Sequence, residues 1–201
     1  MMRIRAAAMA GLVVFATTPA AFAGGQLIYD DSFEKPKVPA GTYVNFNLGQ
    51  YIYSNGSVNA WLVIGPNASS QVTLIGCPYV EGSVTYNAAH GHNFVDLTGD
   101  GANVMGEGVQ QTIATDNGAN YLLKFKVGNV VGTSTVNLWI DGVNVLTATN
   151  NSTNGGTSVN WQTFSYTFTA NNAGSTTIAF TNGDAADDHF NGLDVAKLKH
   201  L

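Results

Sequence analysis

Charge is scarce in this chain, and positive charge scarcer still. Of 201 residues, 8 are Lys or Arg against 13 Asp or Glu, for a formal net charge of −5. A protein that grips nucleic-acid phosphates needs a basic face, so nucleic acid is excluded as a partner class. There is a single cysteine, Cys77, and therefore no intramolecular disulfide. Cys77 stands between a strand-like run and Pro78, with no base beside it in the sequence. It reads as a small buried apolar residue rather than a reactive thiol. The helix formers Glu, Lys and Leu are sparse. No stretch of a dozen residues places apolar side chains at i, i+3, i+4 and i+7. What is plentiful is apolar and aromatic character, 45% and 10% of the residues, too much for a disordered chain. The length fits one domain.

The first 23 residues read as a secretory signal peptide. Arg3 and Arg5 charge the start, Ala6 to Ala16 is a short apolar run, and Ala21-Phe22-Ala23 is an A-x-A exit before Gly24-Gly25. The apolar run is too short for a membrane span, so none is expected. Cleavage after Ala23 would leave a single domain over residues 24–201, extracellular or periplasmic. Six lysines would then face the same 13 acids. No cysteine stands at the cleavage point and no apolar tail closes the chain, so neither a lipid nor a C-terminal anchor is expected.

The remainder alternates with period two. Tyr121, Leu123, Phe125 and Val127 alternate with Leu122, Lys124 and Lys126. Phe164, Tyr166 and Phe168 alternate with Ser165, Thr167 and Thr169. Val136, Leu138 and Ile140 alternate with Asn137 and Trp139, and Ile178 and Phe180 with Ala179 and Thr181. One apolar and one polar face per run is the pattern of two antiparallel sheets packed face to face. Asp141-Gly142, between two such runs, is a strong short hairpin signal. Asp116-Asn117-Gly118, Asn154-Gly155-Gly156, Asn171 to Gly174 and Asn182-Gly183-Asp184 mark further turns. About nine or ten strands are expected, arranged as an all-β jelly-roll sandwich.

Several segments then carry a resemblance. Asp30-Asp31-Ser32-Phe33-Glu34-Lys35-Pro36 is similar to an N-G-S-F-E-x-P opening, and Trp61-Leu62-Val63 with Val72 to Ile75 to a W-x-V…V-x-x-I pair. Phe94 to Gly101 contains V-D-L-x-G. Val109-Gln110-Gln111-Thr112-Ile113 and Gly118 to Phe125 resemble I-S-Q-T-I and G-x-x-Y-x-L-x-F. Trp161-Gln162-Thr163-Phe164 and Leu193-Asp194 complete the order. The chain resembles the plant cell-wall group known as domain of unknown function 642 and its bacterial relatives, the choice-of-anchor C proteins, over nearly all of residues 26–199. The resemblance implies a galactose-binding-like jelly roll of the carbohydrate-binding-module kind. It also implies a structural calcium joining the first and last strands, with ligands falling on Glu34 and Asp194 and backbone carbonyls completing the site. Two acids bonding backbone amides or water are the alternative. The chain departs from the pattern at Asp30-Asp31, where the family has Asn-Gly, and at Val195-Ala196 after Leu193-Asp194.

Catalytic signatures are absent: no G-x-S-x-G, no H-E-x-x-H, no Gly-rich phosphate loop after a strand. His90-Gly91-His92 would form a metal pair if extended; a polar loop is the alternative. Asp184 to His189 is the densest charged cluster, either a cation or sugar site or a solvated loop. The residue that asks most for an explanation is Trp139. Its strand neighbours Val136, Leu138 and Ile140 take the apolar face, so its indole points away from the core, beside Asn137 and Asp141. Trp161, at a strand start, reads as core. Sugar binding rests on flat rings with amides and carboxylates reaching the hydroxyls. Trp139, Asn137 and Asp141 are thus the expected sugar-binding residues, with Tyr51 and Tyr53 as a second pair; the alternative is that a loop or the signal-proximal segment covers Trp139 and it packs there. The expected function is a secreted, non-catalytic carbohydrate-binding protein whose partner is a cell-wall or extracellular polysaccharide. The alternatives are a structural or adhesive matrix protein with a protein partner, and a jelly-roll polysaccharide lyase or hydrolase. A lyase for uronates wants a basic cleft, which six lysines scarcely supply.

Overall fold

The computed structural model describes residues 27–53, 60–100, 104–171, 174–185 and 190–201. The proposed signal peptide lies outside them, as do Asp187, Asp188 and His189. The strands in chain order are β1 (Leu27–Asp31), β2 (Thr42–Asn47), β3 (Tyr51–Tyr53), β4 (Ala60–Ile64) and β5 (Gln71–Gly76). They continue with β6 (Tyr79–Glu81), β7 (Val84–Tyr86), β8 (Asn93–Asp96), β9 (Gly108–Thr115) and β10 (Asn120–Asn129). The last are β11 (Ser134–Ile140), β12 (Val143–Asn150), β13 (Asn160–Thr169), β14 (Gly174–Asn182) and β15 (Gly192–His200).

Two antiparallel sheets form a jelly-roll sandwich. One runs β13-β10-β15-β8-β5-β2, with β1 also pairing β15, and the other runs β12-β11-β14-β9-β4-β3. β6 and β7 make a separate hairpin. The sequence suggests about nine or ten strands, and fifteen are found among the described residues. Part of the difference is in pieces too short to show alternation: β3, β6 and β7 have three residues each.

The alternation works as expected in β11, whereas in β14 Ala179 and Thr181 are buried along with Ile178 and Phe180. Val136, Leu138 and Ile140 are buried while Thr135, Asn137 and Trp139 are only partly covered. Trp61 sits at the centre of the core, with its ring 5.8 Å from Phe33 and 5.7 Å from Phe180. Asp141 and Gly142 both have positive φ, 49° and 79°, as the tight hairpin between β11 and β12 requires. Gly108 is forced by packing: a Cβ there would stand 2.0 Å from the Phe180 carbonyl oxygen.

A smaller apolar cluster lies apart from the main core. Ile75, Cys77 and Phe94 are buried there, with Tyr79, Tyr86, Ala88, Trp161 and Phe190 packed against them. Burial pushes the Cys77 thiol up to about 12, so it is an inert filler. Trp161 belongs to this second cluster rather than to the core between the sheets. Its ring meets Phe94 edge-on at 5.4 Å and its Nε1 donates to the Asn87 carbonyl at 2.9 Å.

Candidate functional site

The outer face of the six-stranded sheet carries Trp139. Its indole is half-buried, and Nε1 donates to Thr181 Oγ1 at 2.9 Å, which fixes the ring plane. The ring borders an open groove of about 370 Å³ whose other walls include Ile64, Pro66, Gln110, Ala179 and Thr181. The strand register ties this groove to the tyrosines. Tyr51 pairs Leu62, Leu62 pairs Gln110, Gln110 pairs Ala179, and Ala179 pairs Trp139. Tyr51 and Tyr53 flank the buried Ile52 and are 50% and 59% exposed.

Asn137 and Asp141 do not line that groove. The Asn137 amide oxygen accepts from Thr147 Oγ1 at 2.8 Å, across to β12. Asp141 Oδ1 accepts the Thr177 N–H at 2.8 Å and so pins the hairpin tip to β14. Both residues hold the strands that present Trp139.

Glu34 and Asp194 converge on one segment of backbone. Both Glu34 oxygens accept the His92 N–H, at 2.9 and 3.0 Å, and Oε1 also accepts that of Asn93 at 3.1 Å. Asp194 Oδ2 accepts the N–H groups of Ala89 and His90 at 2.8 and 3.0 Å, and Oδ1 that of Val195. A bulge in β15 makes this possible: Lys124 faces Lys197 while Lys126 faces Asp194, and Val195 in between has φ 57°. N–H groups present positive charge to these oxygens, the polarity a cation repels. The two acids are thus engaged as anchors for residues 89–93, the alternative to the calcium that the resemblance implies. Among the described residues no group of three or more His, Cys, Asp or Glu could hold a metal. His90-Gly91-His92 is not an extended pair either, because Gly91 has φ 73° and bends the chain.

Two acids are strongly perturbed. Burial raises Glu107 to about 7 and Asp194 to about 8, against the backbone N–H groups that hold each. Both are fully buried and neither lines the Trp139 groove.

The sequence reading missed a second opening, of about 290 Å³, against the outer face of the seven-stranded sheet. Its floor is Thr73, Ile75 and Asp96, and the β6–β7 hairpin supplies Tyr79, Tyr86 and Glu81. Tyr43, Asp100 and Phe190 close the sides. Tyr43 Oη and Asn45 Nδ2 both donate to Asp100 Oδ2, at 3.0 and 3.3 Å. Asp96 Oδ1 accepts the N–H and hydroxyl of Thr98 and the N–H of Asn191. The V-D-L-x-G segment that supports the resemblance supplies three of the lining residues, Asp96, Thr98 and Gly99. A motif names a family, however, and not the cavity its residues line.

With the fold and both openings described, the family can be stated. The pattern of a family described as protein of unknown function (DUF642) matches residues 26–196. The chain belongs to the DUF642 family. No curated protein matches this DUF642 chain. Solved structures resemble it at low identity. One is the CBM22-1 xylan-binding domain of Paenibacillus barcinonensis Xyn10C, 11% identical at a TM-score of 0.45, over 88% of this chain and 96% of that one. A second is a cyclase from Fischerella sp. TAU, 15% identical at 0.49, over 85% and 94%. A third is the Podospora anserina GH26-CBM35 β-(1,4)-mannanase, 12% identical at 0.47. The alignment with the mannanase takes in 80% of the DUF642 chain but only 28% of that enzyme. Among the described residues no helix is long and apolar enough to cross a membrane.

Proposed function

We propose that this DUF642 protein is a secreted, non-catalytic carbohydrate-binding protein that holds a cell-wall or extracellular polysaccharide on the outer face of its six-stranded sheet. The observation that carries the reading is Trp139: a large indole on the outward face of a central strand, fixed by Thr181 and bordering an open groove. A fixed ring loses little conformational freedom when a sugar stacks on it. Gln110 and Thr181 in the same groove offer amide and hydroxyl partners to sugar hydroxyls. The absence of a catalytic role at this groove is inferred from the acids. Glycoside hydrolysis needs two placed carboxyl groups flanking the bond, and no carboxylate lines the Trp139 groove. The test is co-sedimentation of the mature protein with insoluble polysaccharides, with soluble sugar assayed alongside. Retention without release of sugar supports the reading. Release of sugar, or no retention on any polysaccharide, overturns it.

A further inference from the structure

The cleft on the seven-stranded sheet is built from rings and from hydroxyls whose protons are already given away. Four rings run along it: Tyr43 meets Tyr79 edge-on at 5.9 Å, Tyr79 stands 5.9 Å from Tyr86, and Tyr86 meets Phe190 edge-on at 5.1 Å. Among the lining hydroxyls, Tyr43 Oη donates to Asp100 Oδ2 at 3.0 Å, Thr73 Oγ1 to Asn45 Oδ1 at 2.7 Å, and Thr98 Oγ1 to Asp96 Oδ1 at 2.8 Å. The bond to Asp100 raises the Tyr43 phenol above its ordinary value, which keeps that proton in place. Asp100 is oriented in turn. Its Oδ2 also accepts from Asn45 Nδ2 at 3.3 Å, and its carbonyl accepts from Gln71 Nε2 at 2.9 Å. The other carboxylate oxygen, Oδ1, has no hydrogen-bond partner among the described residues.

A hydroxyl whose proton is committed offers only lone pairs, and so does a carboxylate oxygen. Such a wall favours a molecule that brings several O–H groups of its own. Rings set among those acceptors match a saccharide, whose C–H face packs on an aromatic ring while its hydroxyls reach outward. At about 290 Å³ the cleft lies at the small end of ligand sites, the scale of one or two rings rather than a long chain. From these features we infer that this cleft is a second saccharide site, independent of Trp139, that holds one or two sugar rings through the hydroxyl protons they donate. The C–H face of the sugar lies against Tyr79, and its hydroxyls donate to Asp100 Oδ1 and to the Tyr43 and Thr73 oxygens. The Trp139 groove is on the opposite outer face of the sandwich, so each site fills without the other.

The test is a nuclear magnetic resonance titration of the isotope-labelled mature protein with the methyl glycosides of glucose, galactose, mannose and xylose, and with their per-O-methylated forms. At least one glycoside should shift the Thr73, Thr98 and Gly99 amides. Its per-O-methylated form keeps the ring and the acceptor oxygens but loses every donor, and should bind about tenfold more weakly or worse. Asp100→Asn keeps an oxygen for Tyr43 and Asn45 but sets an N–H2 group where Oδ1 accepts. It should weaken binding about tenfold with an unchanged melting temperature. Tyr79→Leu, which keeps apolar bulk without the ring, should weaken it similarly. Trp139→Ala should leave the cleft shifts unaltered, so a failure of the Trp139 reading and a failure of this one are told apart. No shift at the cleft with any of the four glycosides, equal binding of a glycoside and its methylated form, or full binding by a well-folded Asp100→Asn variant would overturn the inference.

Discussion

Tyr51 and Trp139 stand in one register row, four strands apart, on the same outer sheet face. At about 4.8 Å per strand the two positions are roughly 19 Å from each other. A saccharide chain lying across the strands could meet both rings, whereas a disaccharide could meet only one. Affinity should therefore rise with chain length up to about that span, and Tyr51→Ala should remove the gain. Calorimetry with a series of oligomers checks this. A length series that is flat beyond the disaccharide would contradict it.

The two aromatic positions on β4 and β11 should respond to truncation in the same direction but to different extents. Trp61 is enclosed by Phe33 and Phe180, so Trp61→Ala should cost about 3–5 kcal/mol. Trp139 loses one hydrogen bond and partial burial, so Trp139→Ala should cost about 1–2 kcal/mol. Denaturant unfolding of both variants measures the difference.

Stability should fall as pH rises from about 5 to 9. Burial raises Glu107 to about 7 and Asp194 to about 8, both above their values in an unfolded chain. The folded protein therefore keeps protons that the unfolded chain releases. That contribution is complete below the unfolded values and is lost as pH passes the folded ones. Thermal melting should give a midpoint several degrees higher at pH 5 than at pH 9. Asp194→Asn and Glu107→Gln should each flatten the trend. A midpoint that climbs with pH would contradict the assignment.

Calcium should not matter to the fold. Glu34 and Asp194 meet N–H groups, so melting in calcium and in chelator should agree within about a degree. Glu34→Ala should nonetheless destabilise, by about 2–3 kcal/mol, because it strips the partner from two backbone N–H groups. A shift of several degrees on chelation would restore the calcium that the resemblance implies.

The sequence disclosed what depends on local alternation and little of what depends on assembly. The outward indole of Trp139, the Asp141-Gly142 hairpin and the burial of Leu138 all follow from a period of two along one strand. Membership of the family followed from ordered motifs. The tyrosine cleft did not, since it joins Tyr43, Tyr79, Asp96 and Phe190 from four separate parts of the chain. Its hairpin strands have three residues each and show no period. The extended pair that His90-Gly91-His92 could have formed is absent for a local reason, the left-handed Gly91, which leaves the polar-loop reading. Asn137 and Asp141 lie beside Trp139 in the chain, yet their oxygens face Thr147 and Thr177 instead of the groove.

The central claim is that Trp139 presents a sugar platform, and co-sedimentation of Trp139→Ala with a polysaccharide that retains the wild type tests it most directly. The account predicts that retention is lost while the variant stays folded, with a melting point only a few degrees lower. A folded Trp139→Ala protein that is retained as fully as the wild type would contradict it.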